Sequence, residues 1–464
     1  MGASESLIVS ASGIRGIVGR TMTPELAGRY GAAFGLHARA AARAADGGGH
    51  VLLGRDSRTS GPLLADAAAA GLCAAGVDVL DAGIAPTPTH LLAVRDDPDA
   101  IGGLIVTASH NPVEWNGLKL AAATGRFVTP ADGRRIHEAF EAGGGLAAWD
   151  RLGSRGTRSG VAAHHIERIL GLDMVDPRAI REWGPTVAID CVHGAGAVVV
   201  PELLSRLGCR VEGIGLEPDG RFPRNPEPTP ENLGELCELV RATGADLGLA
   251  VDPDADRLSI VDERGEPIGE DWTLAFAVEY VLSRRPGPVV TNLSSSQSIE
   301  DAARSAGVPF HRSPVGEARV AERMAEVEAV IGGEGNGGVM LPDLNLTRDA
   351  PLAAALVLSF LATRRARPAE LLAGRARYAM VKRKAARPPQ GAEAAFGALE
   401  AEARGAERDR SDGLRLSWPA AREWVHVRQS GTEPILRVIS EAPDAARAVG
   451  LADWAEGHVK ALGA

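Results

Sequence analysis

Aromatic residues are scarce in this chain. Seven Trp, three Tyr and eight Phe among 464 residues amount to 4%, too few for the stacking platforms on which single-stranded nucleic acids are held. Cysteine is scarcer still. Cys73, Cys191, Cys209 and Cys237 lie far apart and form no C-x-x-C pair, which argues for reduced thiols in apolar surroundings rather than a disulfide framework. No apolar run reaches the ~18 residues of a membrane span, and the chain does not open on the h-region of a secretory signal. Basic blocks are also missing. Fifty basic residues stand against sixty acidic ones, a formal charge of −10, and Lys382-Arg383-Lys384 is short enough to be a solvated face. These absences argue against nucleic acid and membrane as partners and point to an acidic enzyme of the cytoplasm.

What is present is a repeat, in a chain whose length suggests about three domains. After Ser10-Ala11-Ser12-Gly13-Ile14-Arg15-Gly16, Thr23 and Pro24 read as the N-cap and first turn of a long helix. Then one pattern of strand, helix, glycine stop and strand recurs three times. It begins at Val51, Val187 and Val289, with helices predicted over 63–75, 199–207 and 299–306. Each copy ends in an apolar run that delivers a polar loop, and strands alternating with helices predict mostly parallel, helix-covered sheets. Past Arg365-Ala366-Arg367-Pro368 the pattern changes to short alternating runs and a closing helix, the signature of a small α+β domain. The predicted class is α/β, with three similar domains of mixed or parallel sheets plus a small α+β C-terminal domain around a central cleft.

The three loops and a fourth near the C-terminus carry different chemistry. Thr107-Ala108-Ser109-His110-Asn111-Pro112 follows Leu104-Ile105-Val106, placing a hydroxyl at the carboxyl end of a strand, where α/β sheets bind ligands. A serine hydrolase reading fails, because His110 is the neighbour of Ser109 and adjacent side chains diverge in an extended loop; a G-x-S-x-G elbow is also missing. In Asp252-Pro253-Asp254-Ala255-Asp256-Arg257 the carboxylates stand at i, i+2 and i+4. An extended segment would aim them together, and three carboxylates on one side call for a hard cation such as Mg²⁺ or Ca²⁺. An EF-hand is excluded, since its sixth position must be Gly and is Arg257 here.

Gly333-Glu334-Gly335-Asn336-Gly337-Gly338 satisfies G-x-G-x-x-G, but Val339-Met340-Leu341-Pro342-Asp343 does not open the helix that dinucleotide binding requires. Glu334 and Asn336 instead suit sugar hydroxyls. Arg428-Gln429-Ser430-Gly431-Thr432 joins a guanidinium to hydroxyls and backbone N–H groups, a set that suits a phosphate. A phosphorylated Ser109 facing the aspartates through a cation is chemically coherent, because the metal offsets their repulsion and polarises the phosphoryl group.

In this order the four loops, with Asn116-Gly117-Leu118-Lys119 behind the serine, resemble the α-D-phosphohexomutase superfamily over the whole chain. The resemblance implies residues 1–155 with the phosphoserine loop, 156–262 with the metal loop, 263–372 with the sugar loop and 373–464 with the phosphate loop. It implies Ser109 as the phosphoserine and one Mg²⁺ held by Asp252, Asp254 and Asp256 together with Ser109. Lys119 and Arg15 would assist proton transfer and steady the phosphoryl group, with His110 and Asn111 bracing the loop. Glu334 and Asn336 would meet the sugar, and Arg428, Ser430, Gly431 and Thr432, with Arg257, would take phosphate. The implied partners are hexose phosphates, with a hexose bisphosphate as intermediate and activator, for a monomer or homodimer. Many members carry Ser-Gly-His where this chain has Asn336-Gly337-Gly338. The version here is similar to the phosphoglucosamine mutase branch, with phosphomannomutase or phosphoglucomutase activity left open. Glu317 stands where several members place a basic substrate contact, for which Arg319 offers a substitute and a carboxylate would favour an amino sugar.

Overall fold

The computed structural model describes residues 7–10, 12–44, 49–430 and 435–462. The chain packs as two compact units, Met1–Thr273 with Gly337–Glu370, and Leu274–Asn336 with Leu371–Ala464. Gly431 and Thr432, expected to take phosphate, lie outside the described residues.

The first unit contains two mixed sheets. The larger runs Ile8–Ser10, Gly13–Ile17, Trp115–Ala122, Ala100–Val106, His50–Arg55, Asp78–Ile84 and Arg155–Thr157, in that spatial order. Its last four strands are parallel, and its first three meet antiparallel. The helices Pro24–Ala44 and Gly61–Ala74 pack closely because both offer small residues. A Cβ on Gly71 would stand 1.9 Å from the Gly28 carbonyl oxygen, so glycine is required at that crossing. Close helix packing lets a core with few rings stay dense, around Tyr30, Phe34 and many aliphatics. As expected, Thr23 caps the first helix, its Oγ1 accepting from the Leu26 N–H at 3.2 Å.

The second sheet places Leu247–Val251 between Leu258–Val261 and Thr186–Asp190, with Arg210–Ile214 at the far edge. Leu247–Val251 is buried at every position, as a parallel strand covered on both faces must be. Leu258–Val261 turns back antiparallel, so the aspartate loop bridges adjacent strands. The helix Ala350–Arg364 also belongs to this unit and is buried from Ala350 through Ala362, consistent with its apolar residues lying all round.

In the second unit Val289–Asn292 pairs in parallel with Phe310–Ser313 and Ile331–Glu334. The strand expected over 329–331 therefore starts later and takes in Gly333 and Glu334. The C-terminal part is an antiparallel sheet of five strands, ordered Ala379–Ala386, Ile435–Ala442, Glu423–Gln429, Leu414–Trp418 and Glu407–Asp409. Helices Ala392–Glu402 and Ala445–Ala461 complete it. Lys382 and Lys384 are exposed on the edge strand, where charge discourages edge-to-edge pairing. Three α/β domains and a C-terminal domain with an antiparallel, helix-backed sheet are thus present. Among the described residues no helix is long and apolar enough to cross a membrane.

Candidate active site

In the first unit, strand Ala100–Val106 delivers Thr107 to Pro112, and Ser109 adopts φ +52. A non-glycine residue in that left-handed region costs about 1–3 kcal/mol and persists only when its surroundings fix it. Arg58 does the fixing. Its buried guanidinium donates to the carbonyls of Ser109 at 2.7 Å, Asn111 at 2.6 Å, Pro112 at 2.6 Å and Trp115 at 2.9 Å. Asp56 backs it, accepting Arg58 Nε at 3.1 Å and Thr107 Oγ1 at 2.6 Å. The Thr107 hydroxyl in turn accepts the Ser109 N–H at 2.9 Å. The sequence reading missed Arg58; the signal was the Asp-x-Arg that closes the first βα turn.

The loop is not extended, and this corrects one expectation. Ser109 and His110 do not diverge: Ser109 Oγ lies 3.3 Å from His110 Nδ1. The positive φ of Ser109 turns the chain so that neighbouring side chains share a side.

The aspartate loop needs a similar correction. Asp252 to Arg257 is a turn with Ala255 at φ +50, not an extended segment. Asp252 Oδ1 accepts the N–H groups of Asp256 at 3.0 Å and Arg257 at 3.2 Å. The curl still brings one oxygen of Asp252, Asp254 and Asp256 within 4.8 Å of one another. Asp252 Oδ2 lies 3.4 Å from Ser109 Oγ, so the two loops meet.

Cations crowd the same place. Lys119 Nζ donates to Asp254 Oδ2 at 2.7 Å and lies 3.6 Å from Asp256 Oδ2. Arg15 Nη1 donates to Asn111 Oδ1 at 3.0 Å. Arg257 reaches Glu227 at 3.0 Å, its Nε 3.6 Å from Asp256 Oδ1. Burial, with the nearby Arg257, Arg15 and Arg348, holds the half-buried His110 far below its ordinary value, hence neutral. Burial and the charges of Asp256 and Asp254 push Asp252 well above the usual carboxylate range. Burial opposes ionisation of Asp256 too, but Arg348, Lys119 and Arg257 together outweigh it and the carboxyl sits below its ordinary value.

Whether this loop suits a cation can be judged from its oxygens. Asp254 Oδ1 and Asp256 Oδ1 are buried with no hydrogen-bond partner. A buried polar atom without a partner is costly unless something satisfies it. Three carboxylates offering hard oxygens, two of them orphaned, fit a divalent cation.

The second unit holds the sugar and phosphate candidates. Glu334 ends strand Ile331–Glu334, and its Oε1 accepts Asn292 Nδ2 at 2.8 Å and the Gly316 N–H at 3.1 Å. Asn336 Oδ1 is buried, and no described residue donates to it. Arg428 lies within strand Glu423–Gln429, its Nε donating to Asp412 Oδ2 at 2.9 Å. Ser430 follows, its N–H bonded to the Ile435 carbonyl at 3.0 Å. Arg319 is exposed and paired with Glu322 on its own helix.

Four family models match in succession. Phosphoglucomutase/phosphomannomutase α/β/α domains I, II and III cover residues 6–145, 163–265 and 269–378, and the C-terminal domain covers 379–455. The chain belongs to the phosphoglucomutase/phosphomannomutase family. It is therefore a phosphohexomutase, an isomerase that relocates a phosphoryl group. A Thermococcus kodakarensis phosphoglucomutase/phosphomannomutase is 38% identical over 93% of both chains. A probable phosphoglucosamine mutase of Methanopyrus kandleri is 38% identical over 95% of both. Among solved structures, a phosphoglucomutase/phosphomannomutase family protein from Burkholderia thailandensis superposes with TM-score 0.84 at 30% identity, covering 98% of this chain and 97% of that one.

Proposed function

We propose that this phosphohexomutase interconverts hexose 6-phosphate and hexose 1-phosphate, with glucosamine 6-phosphate to glucosamine 1-phosphate as its main reaction. The observation that carries the reading is Ser109 Oγ at 3.4 Å from an aspartate cluster with two orphaned, buried oxygens. Phosphorylated, Ser109 would give its phosphoryl to the free hydroxyl of the substrate. The Ser109 Oγ–P bond breaks, a P–O bond to the sugar forms, and a hexose bisphosphate results. The bisphosphate, turned over, returns its other phosphoryl to Ser109. Asp252, Asp254 and Asp256, with the Ser109 phosphoryl oxygens, would hold Mg²⁺, which when bound offsets negative charge and polarises the phosphoryl group. Lys119 would carry the hydroxyl proton, and Arg15 would steady the transferring group. Neutral His110 accepts a hydrogen bond from the Ser109 hydroxyl once the phosphoryl has left. Glu334 and Asn336 would meet sugar hydroxyls, and Arg428 with Ser430, Gly431 and Thr432 would hold the stationary phosphate, with Arg257 assisting near the metal loop. The divisions at 155/156, 262/263 and 372/373 belong to this reading, one loop to each segment.

The name of the Thermococcus relative favours a second reading, phosphoglucomutase and phosphomannomutase activity. Phosphorus NMR with Mg²⁺ and a trace of hexose bisphosphate separates the two. Glucosamine 6-phosphate, glucose 1-phosphate and mannose 1-phosphate are supplied in separate tubes, and the fastest conversion to the other positional isomer names the substrate. Release of free phosphate alone overturns the mutase reading in favour of hydrolysis. Glu317→Gln in the same assay tests the amino-sugar preference, which an unchanged glucosamine-to-glucose ratio removes.

A further inference from the structure

The aspartate loop is held from behind by a residue that no motif in the sequence marks. Asp254 and Asp256 each present an Oδ1 without a hydrogen-bond partner, Arg257 Nε standing 3.6 Å from that of Asp256, and in each the other oxygen is taken. Asp254 Oδ2 accepts Thr87 Oγ1 at 2.6 Å and Lys119 Nζ at 2.7 Å. Asp256 Oδ2 accepts Arg348 Nη2 at 2.5 Å. A carboxylate anchored by one oxygen presents the other in a fixed direction, and such outer partners govern how well a metal is held.

Arg348 is itself tightly placed. Its neighbour Asp349 donates its N–H to the Val339 carbonyl at 3.0 Å and caps helix Ala350–Arg364 by accepting the Leu352 N–H at 2.8 Å. The second Asp349 oxygen lies 2.9 Å from Nε2 of the fully buried His165. The Ala350 N–H then donates to the carbonyl of Ala255, within the aspartate loop, at 3.2 Å. Gly338 leaves room for the side chain to pass: a Cβ there would stand 2.3 Å from Arg348 Cδ. The buried helix and the loop are thereby one mechanical piece, with Arg348 as the contact that carries charge.

We propose that Arg348 is a positioning residue for the cation site: it fixes Asp256 by Oδ2 so that Oδ1 faces the ion. The role rests on the aspartate cluster being a divalent-cation site. A competing physical effect has the opposite sign, because a fixed positive charge beside the ligands repels an incoming cation. Positioning predicts weaker metal binding when Arg348 is lost; repulsion predicts tighter binding. Lysine at 348 keeps the charge but loses the planar fork of donors, so it separates orientation from charge.

The experiment is calorimetric titration of chelator-treated protein with Mn²⁺, paired with the electron paramagnetic resonance spectrum of the bound ion. Wild type, Arg348→Met, Arg348→Lys and Asp254→Asn are compared. The expected result is Mn²⁺ affinity about 10- to 100-fold weaker in Arg348→Met, with a broadened spectrum and only partial recovery in Arg348→Lys. Affinity equal to or tighter than wild type in both Arg348 variants overturns the positioning role alone. Wild type that takes up no Mn²⁺, or Asp254→Asn that binds as wild type does, overturns the cation-site reading and this role with it.

Discussion

The site residues of the two units are held in contrasting ways. In the first, Ser109 and the aspartates sit in a mesh of side-chain and backbone bonds, four backbone carbonyls converging on Arg58 alone. In the second, one carboxylate among the described residues steers Arg428, on its Nε edge. Phosphoryl transfer gains mainly from positioning and prearranged charge, so groups around the moving phosphorus repay rigidity. On the proposed function, a group that grips the substrate's phosphate in two orientations would be better served by a single tether. The first arrangement suits transition-state stabilisation and the second suits binding.

The strongest test of this contrast sets one residue from each unit side by side. Ser109→Ala should lower kcat about 10⁴-fold or more, as loss of a nucleophile does. Arg428→Met should lower kcat/KM about 100- to 1000-fold, the worth of two charge-assisted bonds, expressed mainly in KM. Steady-state kinetics on both variants checks the split. A loss confined to kcat in Arg428→Met would erase the distinction.

The mesh should also show in stability. Arg58→Met strips the buried Asp56 of its guanidinium partner, at a cost of about 3–5 kcal/mol, and frees four carbonyls. Urea unfolding should shift by that amount, with residual turnover of folded protein sharply reduced because Ser109 has lost its support. A shift below about 1 kcal/mol would mean that the left-handed Ser109 is held by something other than Arg58.

How much of this was legible depended on whether the signal was local. The repeat announced itself through strand-length apolar runs and glycine stops, and Ser109, Asp252, Asp254 and Asp256 through unusual chemistry in short loops. The curl of both loops was hidden, because positive φ at Ser109 and Ala255 is imposed by distant partners rather than by glycine. Thr87 and Arg348 were hidden for the same reason. Each acts across more than fifty residues of chain, or nearly a hundred for Arg348 to Asp256, and an isolated Arg or Thr carries no local sign of that. Arg155–Thr157 and the lysine-bearing strand Ala379–Ala386 were missed because three residues, or an edge with charges, give no apolar alternation.

Acid should destabilise both units, since each buries a neutral histidine. Burial pulls His90 in the first unit and His426 in the second from 6.5 to about 4. A depressed histidine contributes stability that is complete above pH 6.5 and lost as pH falls to about 4, because the unfolded chain takes up the proton first. The loss is on the order of 3 kcal/mol for each at the acid end. For His426 the bonds fit the neutral ring: Nε2 donates to the Asp412 carbonyl at 2.7 Å, and Nδ1 accepts from Ser294 Oγ at 2.8 Å. His426→Gln keeps a donor and an acceptor but does not titrate, so its unfolding free energy should fall less between pH 7 and 4.5. A fall as steep as that of wild type would place the acid sensitivity of the second unit elsewhere.

The smallest expected effect bears most directly on the single tether. Asp412 Oδ2 accepts from Arg428 Nε at 2.9 Å and from the Val315 N–H at 3.0 Å, so one carboxylate orients the guanidinium and pins the turn before Gly316. Gly413 lets that carboxylate approach, for a Cβ there would stand 2.4 Å from the Val427 carbonyl oxygen. Asp412→Asn preserves an acceptor oxygen and removes the charge. If Arg428 is aimed by geometry, KM should rise only about three- to tenfold, near the 1 kcal/mol worth of one weakened hydrogen bond, with kcat unchanged. A KM rise as large as that of Arg428→Met would show that the charge of Asp412, rather than its placement, keeps the guanidinium in position, and the second unit would then be as strictly held as the first.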